Sequence, residues 1–301
     1  MEITDQHDRN PKRKAGRLGL TSALAGLLML SALSAHCQSA PGNKTTNNES
    51  RTTMTATQPN DPRTTVTYLD GAIVRGPRDK KVIALEFTGG NYADGGTTIL
   101  KTLAKHDIKA SFFFIGDFFR TAEFKPIIEQ IRDEGHYLGP HSDEHPLYAS
   151  WEDPPKLLIS REDFHKDIDA NMKILENFGV AAKDARYFVP PYEHYTQEIA
   201  DWTAERDMVL INLTRGTLSH TDYMEDDDPR YRTSETIVKS ILDYEAKDPD
   251  GLNGFLLLMH IGASPKRTRC HLYNHLDELI TELKSRGYSF QRVDELLAPK
   301  E

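Results

Sequence analysis

Cysteine is nearly absent from this chain. Only Cys37 and Cys270 occur among 301 residues, far apart in sequence. A disulfide framework is therefore excluded. Excess basic charge is also lacking: 37 Lys and Arg stand against 46 Asp and Glu, for a net charge of -9. No basic stripe with interleaved aromatics appears, so nucleic acid is not an expected partner. No internal repeat is present. No Gly-x-Gly-x-x-Gly follows the first strand-like run, which weighs against a dinucleotide fold. Long apolar runs are missing too, apart from residues 18–35.

That run follows Lys12, Arg13, Lys14 and Arg17. It reads as an export signal rather than a retained anchor, because it is barely span length and its basic flank is N-terminal. The segment Leu33-Ser34-Ala35-His36-Cys37 resembles a lipoprotein signal, with His36 at a position usually held by a small residue. Residues 1–37 are thus read as the signal. The expected destination is the periplasm, the cell envelope as a lipoprotein, or the exterior. Membrane contact is expected only through the signal or a lipid. Residues 38–67, rich in Thr, Asn, Pro and Ser, read as a disordered tether. Residues 68–301 suit one α/β domain.

Within that domain, strand-like and helix-like segments alternate. Strands are expected at 82–87, 110–115, 136–139, 186–189, 208–213, 255–260 and 288–293. Helices are expected at 96–106, 123–134, 160–179, 196–206, 234–246 and 272–285, with Ser160 and Thr196 as N-caps. About seven βα units in a row predict a parallel sheet closed as a barrel. On the first strand, Val82, Ala84, Glu86 and Thr88 would face the barrel interior, with Ile83, Leu85 and Phe87 facing the helices.

In such a barrel the loops after the strands build the functional face. Those loops carry Asp94, His141, His145, Tyr192, Glu193, Tyr195 and Asp222, and one strand ends at His260. His141 and His145 are spaced to point the same way if the segment makes one helical turn. Two neutral imidazoles suit zinc, cobalt or iron.

Several motifs then converge. His141-Ser142-Asp143-Glu144-His145 follows Glu134-Gly135-His136-Tyr137-Leu138-Gly139. Ala110-Ser111-Phe112-Phe113-Phe114-Ile115-Gly116, Pro190-Pro191-Tyr192 and Leu256-Leu257-Leu258-Met259-His260 stand in order at strand ends. In these the domain resembles the polysaccharide deacetylases, the NodB-homology or carbohydrate esterase four group. The resemblance implies a distorted (β/α)7-type barrel and a divalent metal, often zinc. It also implies hydrolysis of acetyl groups on a glycan. By the same resemblance, His141 and His145 bind the metal, His260 protonates the leaving group, and the Tyr192 backbone N–H stabilises the oxyanion.

The first motif departs from the family. Glu86-Phe87-Thr88-Gly89-Gly90 stands where the family has Thr-Phe-Asp-Asp-Gly. Thr88 replaces the general base and Gly89 the metal-ligand aspartate. Val189 replaces an arginine that pairs with the catalytic aspartate. Three carboxylates are candidates to fill the gap: Asp94 as metal ligand, and Glu193 or Glu86 as base. Two have a plainer reading, Asp94 as a turn former and Glu86 as a lumen carboxylate satisfied by Tyr or Lys; Glu193, placed right after Tyr192, has few structural reasons to be there. Asp143, Glu144, His194 and His220 read as surface residues. Trp151, Tyr148, Tyr195 and Tyr223 are candidates to stack on sugar faces, against ordinary packing. A glycan-binding relative without activity, and a hydrolase acting on another carbon–nitrogen bond, remain the competing readings.

Overall fold

The computed structural model describes residues 62–298. The expected signal lies outside the described residues, as does the tether up to residue 61. Pro62–Thr64 forms a 3-10 turn within the stretch read as tether. It leads into an antiparallel hairpin, β1 (Thr67–Leu69) and β2 (Ala72–Arg75).

The alternation read from sequence follows. The elements are β3 (Val82–Gly89), α1 (Gly96–Lys105), β4 (Ser111–Phe114), α2 (Gly116–Arg120), α3 (Lys125–Asp133), β5 (Tyr137–Pro140) and α4 (Arg161–Asn177). Then come β6 (Tyr187–Phe188), α5 (Gln197–Ala204), β7 (Val209–Leu210), α6 (Ser234–Lys247), β8 (Phe255–His260), α7 (Leu276–Ser285), β9 (Ser289–Phe290) and α8 (Val293–Leu296). The strands from β3 onward pair in parallel, in the order β5-β4-β3-β8, with β9 along the start of β3 and β6 beside β7. Single hydrogen bonds join these sheets into a distorted βα barrel. Val189 N–H reaches Pro140 O, Asn212 N–H reaches Ile73 O, and Thr214 N–H reaches Leu256 O.

The short strands mark where the barrel is distorted. The run 208–213 keeps only two ladder residues and one bridge, Ile211 to Ile73. β2 completes the wall there, a role not read from the sequence. Ser160 caps α4 as expected, accepting the Asp163 N–H at 3.1 Å. Thr196 does not cap α5: its hydroxyl makes no bond to the helix backbone.

Two apolar layers hold the barrel. Ile83, Leu85 and Phe87, with Leu257 of the neighbouring β8, pack outward against Ile99, Leu103, Leu279 and Ile280 of the helix layer. Val82 and Ala84 pack inward with Phe113, Val189, Ile211, Leu256 and Leu258, closed below by Val293 and Leu296 of α8. The two faces read from the alternation of β3 are therefore observed. Each fully buried Phe or Leu contributes roughly 1.5–3 kcal/mol. Among the described residues no helix is long and apolar enough to cross a membrane.

Candidate active site at the barrel mouth

The loop after β5 carries both histidines, but not as a helical turn. Ser142 and His145 adopt left-handed backbone, with φ of 74° and 53°. The Ser142 hydroxyl accepts the His145 N–H at 2.8 Å, closing the loop on itself. Helix α4 pins it from behind: Asn171 Oδ1 accepts the His141 N–H and Asp167 Oδ1 accepts the Glu144 N–H. Asp143, read as a surface residue, is buried and paired with Arg120 at 2.7 Å.

The His141 Nδ1–H donates to the Val189 carbonyl at 2.8 Å, which leaves the Nε2 lone pair free. The His145 ring lies 5.0 Å from it, centroid to centroid, and Tyr192 covers His145 at 4.5 Å. Burial drives the His141 pKa well down, and the neighbouring His145 adds to this. Burial and His260 bring His145 to about 4. Both rings are neutral imidazoles at neutral pH, the form that ligates metals.

His260 ends β8, in register with Thr88. Its ring pairs with Asp222, Nδ1 to Oδ1 at 2.7 Å, and its backbone N–H donates to the other Asp222 oxygen at 3.0 Å. Burial works against a charge on this ring. Attraction to Asp222, their hydrogen bond and the nearby Glu193 outweigh it, so the pKa is raised. Tyr223 lies against the ring at 4.2 Å. His220, read as a surface residue, is half-buried in this group and its pKa is depressed by burial and by His260.

Glu193 faces the same group. Burial raises its pKa, His260 and Arg215 lower it, and Asp222 raises it. Tyr192 and Glu193 are consecutive left-handed residues, with φ of 60° and 51°. Such conformations cost on the order of 1–3 kcal/mol each and persist only where surroundings enforce them. Here Pro190 O accepts the Glu193 N–H, and Asn212 Nδ2 donates to the Glu193 carbonyl. Glu86 lies below, fully buried, with neither carboxylate oxygen partnered. No tyrosine or lysine satisfies it. Burial and the Glu193 charge push its pKa up to about 8.

Residues 75–210 match the family model for polysaccharide deacetylase. That stretch is matched as a polysaccharide deacetylase domain. The chain is 24% identical over 215 residues to a peptidoglycan-N-acetylglucosamine deacetylase of Bacillus cereus, covering 71% of this chain and 68% of that one. A peptidoglycan-N-acetylglucosamine deacetylase of Listeria monocytogenes is 26% identical, over 74% of this chain and 40% of its own length. Among solved structures, a family 4 carbohydrate esterase pseudoenzyme from Bacillus anthracis aligns with a TM-score of 0.59 at 22% identity, over 76% of this chain and 70% of that one. A mutant of that pseudoenzyme is described as having restored enzymatic activity.

In this deacetylase domain the first-motif positions are altered in shape as well as chemistry. Thr88 points inward and its hydroxyl is buried without a partner. A Cβ on Gly89 would meet Ile261 Cγ2 and Phe114 Cδ1 at 2.8 Å, atoms of the outer core. A side chain at 89 would therefore run into packed apolar groups. Among the described residues, no group of three His, Cys, Asp or Glu could hold a metal. A three-ligand catalytic centre does not fit the residues present. His141 and His145 are an incomplete pair.

Asp94, the sequence candidate for a third ligand, is committed elsewhere. One oxygen accepts the Ala263 N–H and the other the Tyr273 hydroxyl, both at 2.8 Å. It ties the loop after β3 to the loop after β8, which is nearer the turn-forming reading. It lines a groove of about 830 Å³ with Tyr92, Arg267 and His271, and that groove includes none of His141, His145 or His260. Tyr148 is fully buried and donates its hydroxyl to Asp167, so it offers no face to a sugar. Tyr195 packs against the core beside β2 and donates to the Leu69 carbonyl. Trp151 and Tyr223 remain exposed.

Sequence reasoning missed Asp222 as the partner of His260. The only available signal was its place in a polar loop. A distance of 38 residues along the chain carries no hint of a 2.7 Å contact.

Proposed function

We propose that this chain is an exported deacetylase-type hydrolase acting on an acetylated glycan at the barrel mouth. The observation that carries the reading is the Asp222–His260 pair standing beside Glu193. It sets a proton acceptor and a proton donor in one cleft, and Asp222 raises the His260 pKa and so favours the protonated donor form. Glu193 takes a proton from water. The water oxygen attacks the acetyl carbonyl carbon, and the oxyanion forms near the Tyr192 backbone. The protonated His260, oriented by Asp222, gives its proton to the leaving nitrogen or oxygen as the bond to the acetyl carbon breaks. Acetate and the free amine or hydroxyl leave. Glu86 lies too deep in the lumen to be reached by substrate, so Glu193 is preferred as base.

His141 and His145 are where this chain would hold a divalent ion, zinc or cobalt by donor chemistry. The basic segment before residues 18–35, and the peptidoglycan named for the relatives, support a cell-envelope glycan and an exported protein.

A second reading is favoured by one observation. With Thr88 at the base position and Gly89 blocked by Ile261 and Phe114, the mouth suits a glycan binder without turnover. Acetate release from peptidoglycan, acetylated xylan and N-acetylglucosamine oligomers, with and without added zinc or cobalt, separates the two. Release that is lost in Glu193→Gln supports the hydrolase. Oligomer binding with no release from any of these glycans supports the binder.

A further inference from the structure

The loop between His145 and α4 carries the most exposed large apolar side chain among the described residues, Trp151, at 67%. Such a ring normally folds down or is covered. This one is held out. One face stacks on His194 at 4.0 Å with an interplanar angle of 24°. His194 in turn is fixed by its Nε2 contact to the Ser150 carbonyl at 2.9 Å. The loop around it is a small bonded hairpin. Ser150 N–H donates to Lys156 O, Leu158 N–H donates to Tyr148 O, and Lys156 N–H donates to the Ser150 hydroxyl. Glu152 and Lys156 pair across its exposed side at 2.7 Å.

We propose that Trp151, backed by His194, is a sugar platform that holds a neighbouring pyranose of an oligomeric glycan whose reacting unit lies at the mouth. The inference rests on reading the mouth as a glycan site and extends it to chain length. His194, which backs the Trp151 ring, follows Glu193 directly, so the platform and the mouth are joined by one peptide bond on the loop after β6. The chemistry of the face matches a pyranose. It is one flat apolar ring, fixed before binding, on a loop that also carries the Glu152–Lys156 pair. A ring already immobilised loses little freedom on binding, so its contact area is retained as affinity. A lipid surface would meet the Glu152 and Lys156 charges instead.

The test uses tryptophan emission from the full chain. Only two tryptophans exist, and Trp202 is half-buried against Phe164. Titration with N-acetylglucosamine hexamer is expected to change the emission of Trp151, and the hexamer to bind more tightly than the dimer. In Trp151→Ala the hexamer-over-dimer preference should fall roughly tenfold, the scale of one lost stacking contact. Trp151→Phe should keep part of it. Unchanged hexamer preference in Trp151→Ala overturns the platform while leaving the glycan reading standing. No hexamer binding by the wild-type chain sinks both. An emission change with phosphatidylglycerol vesicles and none with hexamer assigns the face to membrane and overturns the platform.

Discussion

Glu86 is the residue at which chemistry and packing conflict most directly. Its ordinary pKa of 4.5 rises to about 8 on burial beside Glu193. In the unfolded chain it ionises near 4.5, whereas in the folded chain it keeps its proton to about 8. Between those values the folded state binds the extra proton, so stability falls as pH rises through that window and levels above it. The gap corresponds to roughly 5 kcal/mol at most. Glu86→Gln is expected to gain stability relative to wild type, with the gain larger at pH 8 than at pH 5 in thermal melts. At the mouth, Glu193→Gln should lower acetate release by about 100-fold or more, the usual scale for losing a general base. His260 acts while protonated, so kcat/KM should decline as pH rises past its elevated pKa. Asp222→Asn removes the attraction that elevates it, and the declining limb of a kcat/KM profile should move to lower pH. The residue types were legible in the sequence. Which carboxylate stood by which histidine was not, because Asp94 and Asp222 look alike in a polar loop and only folding separates them.

At the scale of elements, the caps show how local signals can hold or fail. Ser160 lies at a helix start and bonds the Asp163 N–H. Ser160→Ala should cost about 1 kcal/mol in chemical denaturation. Thr196 has the same residue chemistry in the same position, yet makes no bond to α5. Thr196→Ala should cost less than the Ser160 change in the same measurement. The difference matters for the site, because α4 is the element whose Asn171 and Asp167 hold the His141–His145 loop. The long segments with clear periodicity, β3, α4 and β8, were legible to within two residues. The weak ones were not. β2 and α8 were absent from the reading, and β6 and β7 shrink to two residues each, because their pairing depends on curvature around the barrel rather than on local pattern.

At the scale of the molecule, the barrel brings loops from β5, β6, β7 and β8 to one mouth and leaves that mouth short of a metal ligand. Two imidazoles bind a divalent ion more weakly than three ligands do. Calorimetric titration with zinc at neutral pH should approach one ion per chain only with excess zinc, and His141→Ala should abolish it. The family's order of motifs and the alternation of strands and helices were determined by sequence alone, because periodicity and strand-end chemistry are local properties. The loss of the first-motif aspartates was equally plain. Only the tertiary structure decided what surrounds the loss. It buries Glu86 without a partner, packs Ile261 and Phe114 where a ligand at 89 would stand, ties Asp94 away, and joins Asp222 to His260. These are contacts between segments far apart in the chain, set by barrel closure, and no local pattern encodes them.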